Sequence, residues 1–320
     1  MKRIKNLYEN ICKMENILVA FNEVCKNTKN KRRVENLKEY KNIYLSRIYK
    51  ILSTKTYKVG QYNKFTIYEP KRREIVNQNM QDKIINHLVA RYILYPALLP
   101  CLLDVNVASR KNMGTSEGLR LQHMFKNKCD IKYKTYYILK CDIRKFFASI
   151  NHCILKDKLK RRIKDRDAIK IVSDIIDSNV DGGLYIGAMT NQVLAIFYLN
   201  DMDHFIKEVL KIKYYVRYQD DFLLFHPSKP YLRHCLCRLQ TFLDNEGLTL
   251  NIKTRIYKNT NNYLFLGRNK YGKYSRYRNI KRKLKARFFQ YKNDKITLNS
   301  FVSSYICYKG LCNRNFKLDL

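Results

Sequence analysis

The first 53 residues place apolar side chains three or four positions apart. One series is formed by Leu7, Ile11, Met14, Leu18 and Phe21, and a second, after a polar break at 27–31, by Leu37, Tyr40, Tyr44, Ile48 and Ile51. Spacing of this kind predicts amphipathic helices. The charge run 29–33 is expected to be a solvated link rather than a binding site. We therefore expect a helical N-terminal extension over residues 1–53.

Farther along the chain, the period of the pattern alternates between strand and helix. A strand-like stretch covers 54–75, an apolar helical stretch covers 78–103, two amphipathic helices cover 153–178, a further helix begins at Thr190, and a helix over 231–246 stops at Gly247. Glycine is favoured just past the end of a helix, which supports the last boundary.

Two apolar runs end in carboxylates. Residues 213–217 and 222–225 predict two strands of a hairpin around Tyr218-Gln219-Asp220-Asp221, and residues 136–143 predict a strand that ends at Asp142. Adjacent acids repel each other unless a cation lies between them, and hard divalent ions prefer oxygen ligands. An ordinary solvated turn is the alternative, because aspartate is a preferred turn residue. If the strand of Asp142 lies beside the hairpin, three carboxylates converge in a two-metal phosphoryl-transfer site.

Composition and charge favour a polyanionic partner. The chain has 320 residues, of which 46% are hydrophobic, so we expect a sizeable core divided among two or three subdomains. Lysine and arginine number 64 against 27 acidic residues, a net charge of +37, which favours binding to nucleic acid. An AT-rich coding sequence would also enrich lysine, asparagine, isoleucine and tyrosine, but it does not explain the excess of positive over negative charge.

Cysteine usage and the N-terminus indicate a cytoplasmic location. The ten cysteines form no C-x-x-C pair, so neither a zinc site nor a disulfide framework is expected. Reduced, buried thiols are typical of cytosolic proteins. The N-terminus lacks the apolar stretch of a signal peptide and no run approaches 18 apolar residues, so we expect no membrane partner.

Six motifs resemble those of reverse transcriptases. The patterns D-x-x-x-F-F-x-S-I from Asp142 and Y-x-D-D from Tyr218 look like motifs A and C of that family. The others follow in the family's order: EPKRREI at 69–75 resembles the fingers motif, GLYIGAMTNQ at 183–192 motif B, GLTLNIKT at 247–254 motif D, and FLG at 265–267 motif E. The similarity covers roughly residues 35 to 290.

The resemblance implies an α+β right-hand polymerase with an antiparallel palm sheet and the helical N-terminal extension. It assigns 54–135, with part of 153–180, to the fingers, 136–260 to the palm and 261–320 to the thumb. The basic and aromatic residues of 270–289 suit a thumb that lies along a template-primer duplex.

The same resemblance assigns the catalytic centre. Asp142, Asp220 and Asp221 are the implied catalytic residues, and together with Ile143 they are the implied metal ligands. Two Mg²⁺ ions, for which Mn²⁺ could substitute, would be held there. Asp142 and Asp220 are expected to bridge the ions directly, and Asp221 is expected to support them.

Further residues are implied to contact substrates. The implied nucleotide-binding residues are Lys71, Arg73, Phe147, Ile186, Gly187, Gln192 and Lys253. Lys71 and Arg73 would hold the triphosphate, and Phe147 would clash with a ribose 2′-hydroxyl. The implied primer or template contacts are Tyr218, Leu266, Gly267, Asn112 and Gly114. A basic turn facing water, an exposed lysine at 253 and a simple turn at 112–116 are the alternatives.

Motif B departs from the pattern of group II intron and retroviral enzymes. They place glutamine before the glycine, where this chain has Ile186, and many relatives have Ser-Pro where it has Asn191-Gln192. This variant resembles the reverse transcriptases of diversity-generating retroelements, which copy a template RNA with errors at adenines. An apolar side chain cannot hydrogen-bond a nucleotide, which is consistent with looser base checking.

The subfamily resemblance also implies partners and an origin. The partners are a template RNA, a DNA or RNA primer, deoxynucleoside triphosphates and an oligomeric basic accessory variability protein, in a bacterial, archaeal or phage-encoded system. Three alternatives stay open: an RNA-dependent RNA polymerase, which the bulky Phe147 disfavours; a phage-defence, retron-like or group II intron-like reverse transcriptase; and a non-catalytic RNA-binding protein of the same fold.

Overall fold

The N-terminal extension is helical, as predicted. The structure, a computed structural model, describes residues 3–67, 72–272 and 277–312. Its first four helices are α1 (Tyr8–Cys12), α2 (Met14–Asn27), α3 (Lys31–Glu39) and α4 (Lys41–Ser53). The expectation that 29–33 is only a solvated link is wrong for Arg33. Its guanidinium donates to Asn77 Oδ1 at 3.0 Å and to the carbonyl of Gln78 at 3.1 Å, which joins the extension to the next region.

A hairpin and a long helical segment follow. The hairpin consists of β1 (Asn63–Ile67) and β2 (Arg73–Asn77), and the helical segment consists of α5 (Met80–Val89), a π-helical turn (Ala90–Leu94), α6 (Tyr95–Leu98) and a short 3₁₀ turn (Leu99–Cys101). Pro96 has no N–H to donate, and the π-helical turn before it lets the segment continue past the proline. By length and composition, residues 80–101 could cross a membrane, but 61% of that stretch is buried inside the protein, as in a core helix.

The central sheet has four antiparallel strands in the order β4-β5-β3-β6. The elements of this region are α7 (Thr115–Lys132), β3 (Tyr137–Asp142), α8 (Phe146–Ser149), α9 (His152–Lys160), α10 (Arg166–Asp177), α11 (Met189–Tyr198), α12 (Asn200–His204), β4 (Tyr214–Tyr218), β5 (Asp221–His226), α13 (Lys229–Asn245) and β6 (Arg255–Lys258). Helix α13 ends just before Gly247, which has a φ of +70°. The predicted α+β class with an antiparallel sheet is confirmed.

Both faces of the sheet are buried at β3, β4 and β5, which explains why these strands are mostly apolar rather than alternating. Leu139 and Cys141 of β3 belong to the main core, whereas Ile138 belongs to a second core with Phe125 of α7 and Phe265. Successive side chains of a strand point to opposite faces, so each core takes alternate residues. The polar residues Asp142 and Asp221 therefore stand out at one end of the paired strands.

The chain ends in a small hairpin and two helices. The hairpin consists of β7 (Leu264–Phe265) and β8 (Arg268–Asn269), and the helices are α14 (Tyr277–Lys292) and α15 (Leu298–Cys312). Every cysteine whose side chain is described is a free thiol.

Candidate active site

The turn between β4 and β5 carries Asp220. Tyr218 pairs with Asp221, so only Gln219 and Asp220 lie between the strands. Gln219 has a φ of +54°, a conformation that favours glycine, in the first position of this tight turn. Its side-chain Nε2 donates to Ser109 Oγ at 3.0 Å, which helps to hold the turn in this shape.

Strand β3 brings Asp142 to the same turn. Asp142 is the direct cross-strand partner of Asp221, and the N–H of the next residue, Ile143, donates to the carbonyl of Asp220 at 3.2 Å. Ile143 also faces Leu250 in an isolated antiparallel bridge whose hydrogen bonds run through the flanking residues. The main-chain groups of Ile143 thus point toward the turn of Gln219 and Asp220. The structure brings together all four residues that the sequence suggested as metal ligands.

The three carboxylates differ in how their charge is balanced. Burial, and then the nearby charge of Asp142, raises the pKa of Asp220 to about 6. Burial also raises the pKa of Asp221, while Lys140 acts in the opposite direction. Lys140 Nζ lies 2.8 Å from Asp221 Oδ1. Within the described residues, neither Asp142 nor Asp220 forms an ion pair, so the negative charge of these two is not compensated by a contacting cation.

This donor set fits divalent cations. Carboxylate oxygens are hard ligands of the kind that Mg²⁺ and Mn²⁺ prefer. In the part of the chain that the structure describes, no three acidic, histidine or cysteine side chains form a complete metal centre. Mg²⁺ in phosphoryl-transfer enzymes is typically held by one or two carboxylates together with substrate phosphates, rather than by an all-protein cage. Two uncompensated carboxylates at a half-buried turn match that arrangement.

The hairpin of β1 and β2 carries Arg73, one of the two predicted triphosphate contacts. Arg73 begins β2, is exposed, and lowers the pKa of Asp220 through its charge. Its positive field therefore reaches the carboxylates. Lys71 lies outside the described residues.

Phe147 lies where motif A meets the loop before α11. Its ring is half-buried and contacts Phe146, which is a core residue, with ring centroids 5.7 Å apart. The carbonyl of Phe147 accepts a hydrogen bond of 2.7 Å from the N–H of Leu184. A Cβ on Gly183 would lie 2.5 Å from that carbonyl oxygen and 2.6 Å from Ala148 Cα. Only glycine permits this approach, which fixes the backbone of Phe147.

The motif B loop also contacts the β1–β2 hairpin. The N–H of Val76 in β2 donates to the carbonyl of Ile186 at 3.0 Å. Gly187 has a φ of +125°, and a Cβ there would lie 2.7 Å from the carbonyl oxygen of Val76. Ile186 and Gly187 thus lie against strand β2 of the hairpin. Gln192, in the first turns of α11, is exposed, and its Oε1 lies 3.5 Å from Ser109 Oγ.

The predicted primer contacts surround the same centre. Tyr218 is half-buried next to the catalytic turn. Leu266 and Gly267 form the two-residue turn between β7 and β8, with φ values of +50° and +76°. A backbone hydrogen bond from Leu266 acts to lower the pKa of Asp221, so this turn reaches the carboxylates.

Lys253, a predicted nucleotide contact, is exposed in the loop before β6.

The residues next to the predicted template contacts Asn112 and Gly114 border a cavity of about 900 Å³. The cavity is lined in part by Ser109, Lys111, Met113, Gln192 and Tyr218, so it connects this segment with motif B and the catalytic turn. Asn112 is exposed with a φ of +60°, and Gly114 precedes α7 with a φ of +134°. The structure shows no direct contact of these last two residues with the carboxylates in the described chain.

A buried ion pair supports the turn of Gln219 and Asp220, and the sequence analysis missed it. Arg217 and Asp203 are fully buried, and the guanidinium contacts both carboxylate oxygens of Asp203. Asp203 Oδ1 also accepts a hydrogen bond of 2.6 Å from Tyr215 Oη. Arg217 Nη1 donates to the carbonyl of Gln219 at 3.1 Å. An arginine within an otherwise apolar strand was the signal that could have revealed this pair, because buried charges require partners.

Lys140 and Asn251 were missed as well. Lys140 lies two positions before Asp142, on the same side of β3, so the strand period alone places its ammonium near the acids. Asn251 donates from its Nδ2 to Asp142 Oδ2 at 2.9 Å. No local pattern in the sequence indicates that second contact, which spans 109 positions of the chain.

Comparisons with known proteins show the family and the fold of this chain. A family model described as reverse transcriptase (RNA-dependent DNA polymerase) matches residues 62–269. A search of curated proteins gives no match. Among solved structures, similar chains include telomerase from Candida albicans in complex with a fragment of telomeric RNA, with a TM-score of 0.50 and 13% identity over 72% of this chain and 48% of the other. Telomerase from Candida tropicalis gives a TM-score of 0.50 and 15% identity, covering 79% and 53%. The chain thus spans about half the length of these telomerase chains, and the likeness is one of fold.

Proposed function

Because the chain belongs to the reverse transcriptase (RNA-dependent DNA polymerase) family, we propose that it synthesises DNA on an RNA template at Asp142, Asp220 and Asp221. The activity of this family is a nucleotidyl transfer that uses divalent metal ions. The observation that carries the proposal is the cross-strand pairing of Asp142 with Asp221, one residue from Asp220. It brings Asp142 beside the adjacent acids Asp220 and Asp221, which lie about 80 positions farther along the chain.

We propose that the centre takes two Mg²⁺ ions, for which Mn²⁺ can substitute. When bound, these ions activate the primer 3′-hydroxyl and neutralise the triphosphate. Asp142 and Asp220 are the ligands in this proposal, because their charges are not compensated by a contacting cation within the described chain. Asp221 has a supporting role, because Lys140 already balances its charge. The main chain of Ile143 completes the set.

The residues around the carboxylates position the nucleotide in this proposal. Arg73, whose charge reaches Asp220, binds the triphosphate together with Lys71. Phe147, held by the contact of Gly183 with its backbone, lies against the sugar. Lys253 serves the pyrophosphate leaving group, and the turn at Leu266 and Gly267 holds the primer end.

Primer extension tests the proposed activity directly. The purified chain is incubated with a DNA primer annealed to an RNA template, the four deoxynucleoside triphosphates and Mg²⁺, with and without a chelator. We expect extension that the chelator abolishes. Absence of extension with Mg²⁺ and with Mn²⁺, in the presence of a basic accessory protein as well as without it, would refute the proposal.

The Phe147→Ala variant is expected to admit ribonucleotides. Removal of the ring opens space for a 2′-hydroxyl, and shape-based rejection of one small group is typically worth about 10- to 200-fold. We expect the ratio of kcat/KM for deoxy- over ribonucleotides to fall by at least about tenfold. Phe242→Ala, which removes a ring that stacks on Phe205 in the palm, is the control. An unchanged ratio in Phe147→Ala would show that this residue does not exclude the 2′-hydroxyl.

We also propose that the enzyme belongs to a diversity-generating retroelement. The support is Ile186 in place of a hydrogen-bonding glutamine, with Asn191 and Gln192 following. In the structure the backbone of Ile186 contacts β2, and Asn191 Nδ2 donates to the carbonyl of Tyr185 at 3.1 Å. The partners in this proposal are a structured template RNA, a DNA or RNA primer and an oligomeric basic accessory variability protein in the cytoplasm.

The Ile186→Gln variant is expected to copy adenine more accurately. A glutamine amide can hydrogen-bond the nascent pair, which an isoleucine cannot do. One added hydrogen bond is worth about 0.5–1.5 kcal/mol, so misincorporation opposite adenine should fall by about two- to tenfold. Sequencing of the cDNA measures this. Ile131→Gln, an equal change at an exposed position of α7, is the control. An error spectrum equal to that of the wild type would refute the fidelity argument.

A further inference from the structure

Asn251 connects the carboxylate of Asp142 to the loop that carries Lys253. Its main-chain N–H donates to the carbonyl of Asp142 at 2.7 Å, and its side-chain Nδ2 donates to Asp142 Oδ2 at 2.9 Å. On the other side of the same amide, Oδ1 accepts the N–H of Lys253 at 3.1 Å. The carbonyl of Asn251 accepts the N–H of Thr254 at 2.9 Å, which closes the loop into a tight turn.

The chemistry of the two neighbours settles which way this amide points. A carboxylate oxygen only accepts hydrogen bonds and a backbone N–H only donates, so Nδ2 must face Asp142 and Oδ1 must face Lys253. Aspartate at position 251 would keep the acceptor for Lys253 but would place a second carboxylate oxygen against Asp142. Leucine would remove both hydrogen bonds. Among side chains of this size, only asparagine serves both neighbours.

Asp142 and Asp221 accept hydrogen bonds from different kinds of donor. Lys140 contacts Asp221 with a full positive charge at 2.8 Å, whereas Asn251 contacts Asp142 with a neutral donor. A neutral donor restricts the rotamer of a carboxylate and leaves its charge in place for a cation. Polar groups that orient metal ligands in this way typically change metal affinity or activity by about 10- to 100-fold when removed.

We infer that Asn251 is a positioning residue that aligns Asp142 with the loop carrying Lys253. One amide joins the acid of motif A to motif D, so the metal-binding carboxylate and the loop at the leaving-group side move as one unit. This inference rests on the proposed polymerase function. It goes further by giving a role to a residue outside the acidic triad.

Two variants change the side-chain hydrogen bonds of Asn251 to Asp142 and to Lys253 in different ways. Asn251→Leu removes both side-chain hydrogen bonds, whereas Asn251→Asp keeps the acceptor for Lys253 and replaces the donor to Asp142 by a second carboxylate oxygen. In both we expect kcat for primer extension to fall by about 10- to 100-fold, with KM for the nucleotide and affinity for the template-primer changed less than about threefold. A residue that only stabilises the fold would not lower kcat while leaving KM and the affinity for the template-primer nearly unchanged. Asn245→Leu, at an exposed position six residues earlier, is the control.

Binding of Mn²⁺ to the protein without nucleotide, measured by electron paramagnetic resonance, gives a second readout that needs no catalysis. We expect Asn251→Leu to weaken Mn²⁺ binding by about tenfold, and Asn245→Leu to leave it unchanged. Wild-type kcat and Mn²⁺ affinity in the Asn251 variants would overturn the inference. If wild-type protein fails to extend a primer, the proposed function fails, and the Mn²⁺ measurement still decides the role of Asn251. Should Asn251→Leu not fold, the kcat of Asn251→Asp decides it.

Discussion

The Asp220→Asn variant is expected to lose DNA synthesis by about a thousandfold or more while it keeps its affinity for an RNA template. Such a loss corresponds to about 4 kcal/mol of transition-state stabilisation, which is within the range that a bound metal ion supplies. RNA binding should persist because Asp220 is a proposed metal ligand and not a phosphate contact. Primer extension and a template-binding titration, run on the same preparation, measure the two quantities separately.

The same substitution should not weaken the fold. The pKa of Asp220 is raised to about 6, so the folded chain binds this proton more tightly than the unfolded chain, whose value is 3.8. The ionised carboxylate therefore destabilises the metal-free fold, a cost that is absent below the unfolded value and complete above the folded one. Asparagine carries no charge to bury, so we expect an equal or larger free energy of unfolding near pH 8 in a chelator.

Asp157→Asn is the matched control for Asp220→Asn, because it removes the same charge from an exposed residue of α9. We expect wild-type synthesis from it. Substantial synthesis by Asp220→Asn, or an equal loss in the control, would contradict the assignment of Asp220. A loss of synthesis accompanied by unfolding would contradict the stability argument.

The Asp203→Asn variant is expected to lose about 3–5 kcal/mol of free energy of unfolding, because it leaves the buried guanidinium of Arg217 without a counter-charge. Denaturant unfolding measures this loss, and Asp157→Asn, which breaks an exposed ion pair, should cost less than about 1 kcal/mol. DNA synthesis should also fall, because Arg217 supports the carbonyl of Gln219 beside Asp220. A loss below about 1 kcal/mol in Asp203→Asn would show that the pair is not needed.

A triple variant distinguishes stability from positioning. Asp203→Leu, Tyr215→Phe and Arg217→Met together replace the buried polar cluster by apolar groups of similar size, which is often close to neutral for stability. We expect the free energy of unfolding to recover to within about 2 kcal/mol of the wild type. Synthesis should stay low because no side chain then donates to the carbonyl of Gln219. Recovery of both properties would refute the positioning role of Arg217.

The sequence predicted the catalytic hairpin better than it predicted the sheet. The apolar runs on both sides of residues 218–221 and the run that ends at Asp142 are local patterns, and the structure has strands at all three places. Their placement side by side depended on the family resemblance. The order of the strands is set by the pairing of β3 with β5, about 80 positions away, and with β6, about 115 positions away, and no window of the sequence contains these contacts.

The supporting residues were harder to find for the same reason. Lys140 lies on the same strand face as Asp142, and the two-residue period of a strand could have predicted its position near the acids. Asn251 and Ser109 act through hydrogen bonds to residues more than 100 positions away, and a polar residue in a loop gives no local sign of such a contact. Arg33 was interpreted as solvated because a charge run usually is, and only the tertiary structure shows its bonds to Asn77 and Gln78.

The two close glycine contacts have a mechanical consequence. The stretch 183–187 touches the backbone of Phe147 at one end and that of Val76 at the other, with no space for a Cβ at either place. A tilt of the β1–β2 hairpin would push on one end of this stretch and so shift the other. The same five residues would thus transmit a displacement caused by the phosphate end of a nucleotide to the surface that surrounds its sugar. In the proposed site, selection of the right sugar and closure around the triphosphate would then be a single concerted movement.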